Sequence, residues 1–154
     1  GQTFAVLLTG AALGARRAFA AQILYLLEGA AGLPVFAGGL GGAWFLAGPT
    51  GGFLAAFPLA AAVTGALCGP ARAGSPGWGR SFGATLAAML LGSATILLLG
   101  ATWLARFLPV PQALAAGVWP FVPGDVVKAV AAALVLPSAW RIRRRWAERD
   151  GSRA

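Results

Sequence analysis

The chain has 154 residues, of which 58% are hydrophobic and only 10% are charged, and its mean hydropathy is +0.77. An average soluble domain carries roughly 25% charged residues, so this composition excludes a soluble globular protein, and the absence of His beside a single Cys excludes His-based triads and Cys-cluster zinc sites. The formal net charge is +8, but the basic residues form short clusters between uncharged stretches, which is typical of loops flanking membrane spans rather than of a nucleic-acid-binding face.

The uncharged stretches predict an all-α integral membrane protein, a bundle of five transmembrane helices. A helical span needs about 20 mostly apolar residues. The segment Leu33–Pro49 is too rich in glycine for a regular helix and is predicted to be a loop, and Pro58 predicts a kink in its helix. The predicted helices are Thr3–Leu13, Arg17–Ala31, Thr50–Leu67, Ser81–Ala105 and Phe121–Leu136.

Small residues recur at helical spacing in two of these helices. Ala61 and Gly65 are four residues apart, and so are Ala84, Ala88 and Gly92. This spacing allows helices to approach closely in a membrane. It favours packing within the protein, with a face for a partner subunit as the alternative.

The basic residues predict the orientation of the bundle. With five spans, ten of the twelve lysines and arginines fall on one side, which the positive-inside rule makes cytoplasmic, and Arg106 falls on the other. Gly1 is then outside, so we expect a further helix before it and six helices in the intact protein. Residues 1–140 are expected to form one transmembrane domain, and residues 141–154 a basic cytosolic tail. The ten cytoplasmic residues are Arg16, Arg17, Arg72, Arg80, Arg141, Arg143, Arg144, Arg145, Arg149 and Arg153.

One pair of ionisable residues opens the last predicted helix. Asp125 and Lys128 are three residues apart, so they share one helical face. Each costs about 2.5–3.5 kcal/mol within a span, and such residues usually face a bundle interior or a cavity. Two readings are open: Asp125 caps the helix and Lys128 neutralises it, or both bind a polar ligand. We favour the ligand, because Lys128 is the only lysine beside eleven arginines.

Weaker candidates lie on the outer side. Glycines at 38, 39, 41 and 42, and again at 51 and 52, either let the backbone approach a ligand or make an ordinary tight connection. They do not form a phosphate loop, because no Gly-Lys pair occurs. Glu28 is expected at the membrane interface, with a ligand contact as the alternative. The aromatic residues at this level are either an interfacial belt or pocket walls: Trp44, Phe53, Trp119 and Phe121.

Four segments in order resemble the BioY family, the biotin-specific S components of energy-coupling factor (ECF) transporters. They cover most of the chain, and their combination is more specific than the glycine-rich loop alone. A tyrosine is more usual in the family where this chain has Phe53, and the family's first helix has no counterpart here. The segments are QTFAVLLTGAALGARR (Gln2–Arg17), YLLEGAAGLPVFAGGLGG (Tyr25–Gly42), GPTGGFLAAFPLAA (Gly48–Ala61) and PFVPGDVVKAVAAAL (Pro120–Leu134).

The resemblance implies a substrate-binding subunit that captures biotin outside the cell and delivers it inward. Asp125 and Lys128 would be the main binding pair; which of them meets the ureido ring and which the carboxylate stays open. Together with the positive-inside rule, it predicts a multi-pass protein of the plasma (inner) membrane with a cytoplasmic C-terminus. Its partners would be the lipid bilayer and, unless it works alone, a transmembrane coupling subunit and ATPase subunits; no nucleic acid, cofactor or metal is expected. Weaker binding residues are Gln2, Gly41, Gly42, Thr50, Gly51, Gly52, Phe53 and Trp119.

Three alternatives remain at this point. The chain is an S component for another vitamin, an intramembrane enzyme that uses Asp125 and Lys128 as an acid–base pair, or a structural subunit that binds no small molecule. The intramembrane enzyme alone would change its ligand chemically, and the structural subunit alone would bind no ligand.

Overall fold

The computed structural model describes residues 1–68 and 82–135, and these residues form helices joined by short connections. Within them the only β-type pairing is an isolated bridge between Phe36 and Leu40. The helices are α1 (Gln2–Leu13), α2 (Ala15–Ala30), α3 (Trp44–Ala47), α4 (Gly51–Cys68), α5 (Phe82–Leu104), α6 (Val110–Gly117) and α7 (residues 122–135).

The five predicted helices are all present in the described residues, and the all-α prediction is confirmed. Two short helices, α3 and α6, were not predicted. Helix α6 begins at a proline N-cap, Pro109, and has Pro111 in its first turn, where the missing N–H costs nothing. The loop with Arg72 and Arg80 and the basic tail lie outside the described residues.

Three helical segments are long and apolar enough to cross a membrane. These are Gly51–Cys68, Phe82–Leu104 and Val110–Val135, the last of which includes α6, a turn and α7. Helix α1 is a shorter apolar helix of 12 residues, or about 18 Å. Leucines exposed on α5 give it a lipid-facing surface: Leu90, Leu91, Leu98 and Leu99. The chain is therefore a multi-pass membrane protein.

Helix α4 is the centre of the bundle, because α1, α2 and α5 all pack against it. It continues as one helix through Pro58, which is buried. Small residues make the close contacts: a Cβ added to Gly65 would lie 2.6 Å from the backbone of Gly14, and one added to Gly92 would meet Leu7 at 2.5 Å and the Thr64 hydroxyl. The predicted role of these glycines in packing within the protein is confirmed at Gly65 and Gly92.

Gly10→Ala tests the fit of α1 against α4. The added Cβ would lie 2.5 Å from the carbonyl oxygen of Ala61, so the two helices would have to separate. Overpacking of this kind costs about 1–3 kcal/mol. We expect Gly10→Ala to lower the melting temperature of the protein in detergent.

Gly83→Ala is the matched control, because a Cβ on Gly83 meets nothing within 4 Å and alanine is the better helix former. Equal melting temperatures for Gly10→Ala and Gly83→Ala would contradict the close approach of α1 and α4.

Candidate ligand-binding site

A cavity of about 420 Å³ lies between α1, the loop after α2, α4, α5 and α6. Its volume is within the range of pockets that bind small molecules. Most of its wall is aromatic or aliphatic, and the polar side chains that line it are Gln2, Thr3 and Thr50. The apolar side chains include Phe36, Leu40, Phe45, Phe53, Leu54, Phe57, Ile96, Leu97, Leu104 and Phe121.

Hydrogen bonds fix the wall of the cavity around Gln2. The Gln2 Nε2 donates to the Tyr25 hydroxyl at 2.7 Å and reaches the Val35 carbonyl oxygen at 3.5 Å. The Tyr25 hydroxyl in turn donates to the same carbonyl at 2.9 Å. These bonds connect the start of α1 to α2 and to the loop that follows α2. Gln2, a weak candidate from sequence, therefore lies in the cavity wall with its amide nitrogen already bonded.

Phe53 lies in the wall because two glycines make room for its ring. A Cβ on Gly100 of α5 would clash with the ring, and one on Gly117 of α6 would lie 3.0 Å from its Cζ. The ring therefore joins α4 to α5 and α6. Phe53 and Thr50 are the other weak candidates that the structure places in the cavity.

The remaining weak candidates are outside the cavity wall. Gly42 has φ +117° and donates its N–H to the Gly29 carbonyl at 2.7 Å, and a Cβ on Gly41 would lie 2.9 Å from the backbone of Gly32. Gly51 and Gly52 pack tightly against Leu46 and Trp103. These four glycines thus permit close packing, as expected for an ordinary tight connection between helices. Trp119 is 68% exposed.

Asp125 is buried in the bundle. It is the fourth residue of α7 and shares a buried face of that helix with Ala129, Ala132 and Ala133. Only 6% of its side chain is exposed, and its N–H donates to the Phe121 carbonyl at 2.9 Å. Asp125 is therefore inside the helix rather than at its N-cap, so the capping interpretation is wrong.

Two side chains satisfy the Asp125 carboxylate. Lys128 Nζ lies 3.3 Å from Oδ1, and Ser93 of α5 donates a short hydrogen bond to Oδ2. Lys128 is 34% exposed, so the pair joins a buried anion to a partly accessible cation. The sequence predicted that Asp125 and Lys128 share a face, and the structure pairs them.

Asp125 and Ser93 lie close to the cavity but are not part of its lining. Ile96 and Phe121 line the cavity, while Ser93 precedes Ile96 by three residues and Asp125 follows Phe121 by four. One helical turn, about 5.4 Å, thus separates each of these polar residues from the cavity wall. A charged, hydrogen-bonded group thus lies about one helical turn from the wall of an apolar chamber.

Sequence reasoning missed Ser93 and most of the aromatic wall. Ser93 is the only serine in the part of the chain that the structure describes, and it lies in a strongly apolar helix. This isolated position in an apolar helix was the one feature of the sequence that could have indicated a role for Ser93. Among the described residues, no three Asp, Glu, Cys or His side chains come together as metal ligands.

Comparisons with known proteins identify the family of the chain. The BioY family model matches residues 1–145, a range that includes the cavity and both charged residues. The chain is 38% identical over 134 residues to the probable biotin transporter BioY of Pyrococcus horikoshii and 40% identical over 136 residues to the biotin transporter BioY of Rhizobium etli. Each match covers 87% of this chain, and 75% and 73% of those proteins respectively.

The fold is also similar to a crystal structure of the S-component for biotin from an ECF-type ABC transporter. The TM-score is 0.75 at 27% identity, and the match covers 93% of this chain and 74% of that one. Sequence and fold thus point to the same group of proteins.

Lys128→Met tests the coupling of the charged pair without any ligand. The substitution leaves the buried Asp125 carboxylate without its cation, whereas Asp125→Asn/Lys128→Met removes both charges. We expect the double variant to be more stable than Lys128→Met by about 1 kcal/mol, since an uncompensated buried charge is strongly destabilising and Lys128 is partly exposed. Thermal unfolding in detergent measures the difference, and a double variant less stable than Lys128→Met would contradict the coupling.

Proposed function

Because the chain belongs to the BioY family, we propose that it binds biotin in the cavity beside Asp125 and moves it across the membrane. It is a biotin transporter component rather than an enzyme. The observation that carries the proposed binding site is the buried Asp125 carboxylate, paired with Lys128 and one helical turn from the wall of an apolar chamber.

The chemistry of biotin matches this arrangement. Biotin has an apolar thiolane ring and alkyl chain, which fit a wall of aromatic and aliphatic side chains. Its polar groups are a ureido ring, with two N–H donors and a carbonyl, and a carboxylate at the far end. An apolar chamber with a few placed polar groups is the usual form of a site for such a molecule.

The charged pair can bind further groups without losing its present contacts. A carboxylate has about four acceptor sites, of which Ser93 and Lys128 occupy two. The remaining sites of Asp125 can accept ureido N–H groups, and such charge-assisted bonds are roughly twice as strong as neutral ones. Lys128 has three N–H donors, so those not directed at Asp125 can donate to the ureido oxygen or to the carboxylate.

We assign the energy for transport to partner subunits. The sequence has no Gly-Lys pair of the kind that holds nucleotide phosphates. In this proposal a transmembrane coupling subunit and ATPase subunits drive inward release of biotin. Residues 1–140 then act as one substrate-binding domain in the cell membrane, with residues 141–154 as a cytoplasmic tail.

Asp125→Asn and Lys128→Ala test the binding site. Each removes a charge from the hydrogen bonds that hold biotin, and bonds to charged groups contribute about 1.5–3 kcal/mol each. We expect both variants to bind biotin at least tenfold more weakly than the wild type, and Asp125→Asn about 100-fold more weakly. Calorimetric titration of the purified protein in detergent measures the affinities.

Glu28→Gln is the matched control, because Glu28 is a carboxylate that does not line the cavity. We expect it to bind biotin as the wild type does. Wild-type affinity in Asp125→Asn would remove Asp125 from the site. A wild-type protein that binds another vitamin in preference to biotin would replace the proposed substrate.

A further inference from the structure

The hydroxyl groups of α5 differ in what they contact. Side-chain hydroxyls inside helices commonly bond to a backbone carbonyl one turn earlier. Thr95 and Thr102 do this, donating to Leu91 and Leu99 at 2.8 and 2.9 Å. Thr85 is fully buried, and its hydroxyl has no hydrogen-bond partner in the structure. Ser93 instead donates across to Asp125 of α7.

The hydrogen bond from Ser93 sets the orientation of the Asp125 carboxylate, which contacts within α7 alone do not set. Lys128 lies on the same helix as Asp125 and reaches only Oδ1, and the last torsion of an aspartate side chain is soft. The bond from Ser93 to Oδ2 comes from a second helix, so the two contacts together set the plane of the carboxylate. Ser93 is itself only 4% exposed.

The backbone that carries Ser93 is held in place by close packing. The preceding residue, Gly92, lies so close to Leu7 of α1 and Thr64 of α4 that a Cβ would clash with both. The Ser93 hydroxyl is therefore presented by a packed part of the bundle. A binding group supported in this way keeps its geometry before the ligand arrives.

We propose that Ser93 is a positioning residue for biotin binding, which orients the Asp125 carboxylate toward the cavity without touching the ligand. This inference rests on the proposed function, because it needs Asp125 to bind biotin. In Ser93→Ala the carboxylate loses one of its two partners and turns away from the orientation that accepts the ligand. The change deletes one oxygen atom and adds no bulk.

The test compares Ser93→Ala with Thr85→Val, which removes a buried hydroxyl of the same helix that has no partner. Biotin affinity is measured by calorimetry and stability by thermal unfolding. The Nζ resonance of Lys128 is recorded after ¹⁵N-lysine labelling, and it is a single signal because Lys128 is the only lysine of the chain. This resonance reports on the contact between Lys128 and the Asp125 carboxylate. General loosening of the helix packing would not shift it.

We expect Ser93→Ala to bind biotin about tenfold more weakly than the wild type and to shift the Lys128 Nζ resonance of the ligand-free protein. Thr85→Val should change neither the biotin affinity nor the Lys128 resonance. Ser93→Thr, which keeps the hydroxyl, should give the resonance of the wild type. Wild-type affinity in Ser93→Ala would overturn the proposal. So would a weaker affinity with an unchanged Lys128 resonance, because Ser93 would then be only structural.

The two proposals fail in different ways. If Asp125→Asn binds biotin normally, the proposed binding site fails whatever Ser93 does. If Asp125→Asn binds weakly while Ser93→Ala binds normally, the site stands and only the role of Ser93 is overturned.

Discussion

A carboxylate buried in an apolar helical bundle is the constraint on which the site depends. An ionised group away from water costs several kcal/mol unless it is paired and hydrogen-bonded. Asp125 meets this requirement with a cation from its own helix and a hydroxyl from α5. The contact with Ser93 requires α5 and α7 to lie at one distance and in one register. The buried charge thus ties α7 to α5, one helical turn from residues that line the cavity.

Glycine and alanine supply the close packing that this arrangement needs. Without a hydrophobic driving force between helices in lipid, association relies on close contact of small residues. Gly10 and Gly65 bring α1 and its C-terminal end against α4, and Gly92 brings α5 against α4 and α1. Gly100 and Gly117 leave space that the ring of Phe53 fills. The Phe53 ring of the cavity wall therefore fills space that a side chain at position 100 would occupy.

Local patterns in the sequence predicted the long helices and the Asp125–Lys128 pair, because both depend on residues within a few positions of each other. Ser93 is 32 residues from Asp125, and no local pattern indicates that contact. The glycines at 41, 42, 51 and 52 were interpreted as possible ligand contacts, yet close backbone and side-chain neighbours already account for them. Helix α6 was not predicted because its eight residues are far fewer than the roughly 20 that a membrane span needs. The resemblance to a family identified the ligand, which the helix pattern alone could not do.

The most direct measurement of the central claim is a calorimetric titration of biotin into the wild type and two α6 variants. Ala115 and Ala116 are both exposed, but only Ala116 of the two lines the cavity. We expect one biotin per chain for the wild type and for Ala115→Phe, and binding at least tenfold weaker for Ala116→Phe, whose ring would occupy space that a ligand needs. Equal affinity for the two variants, or no binding by a folded wild type, would contradict the account.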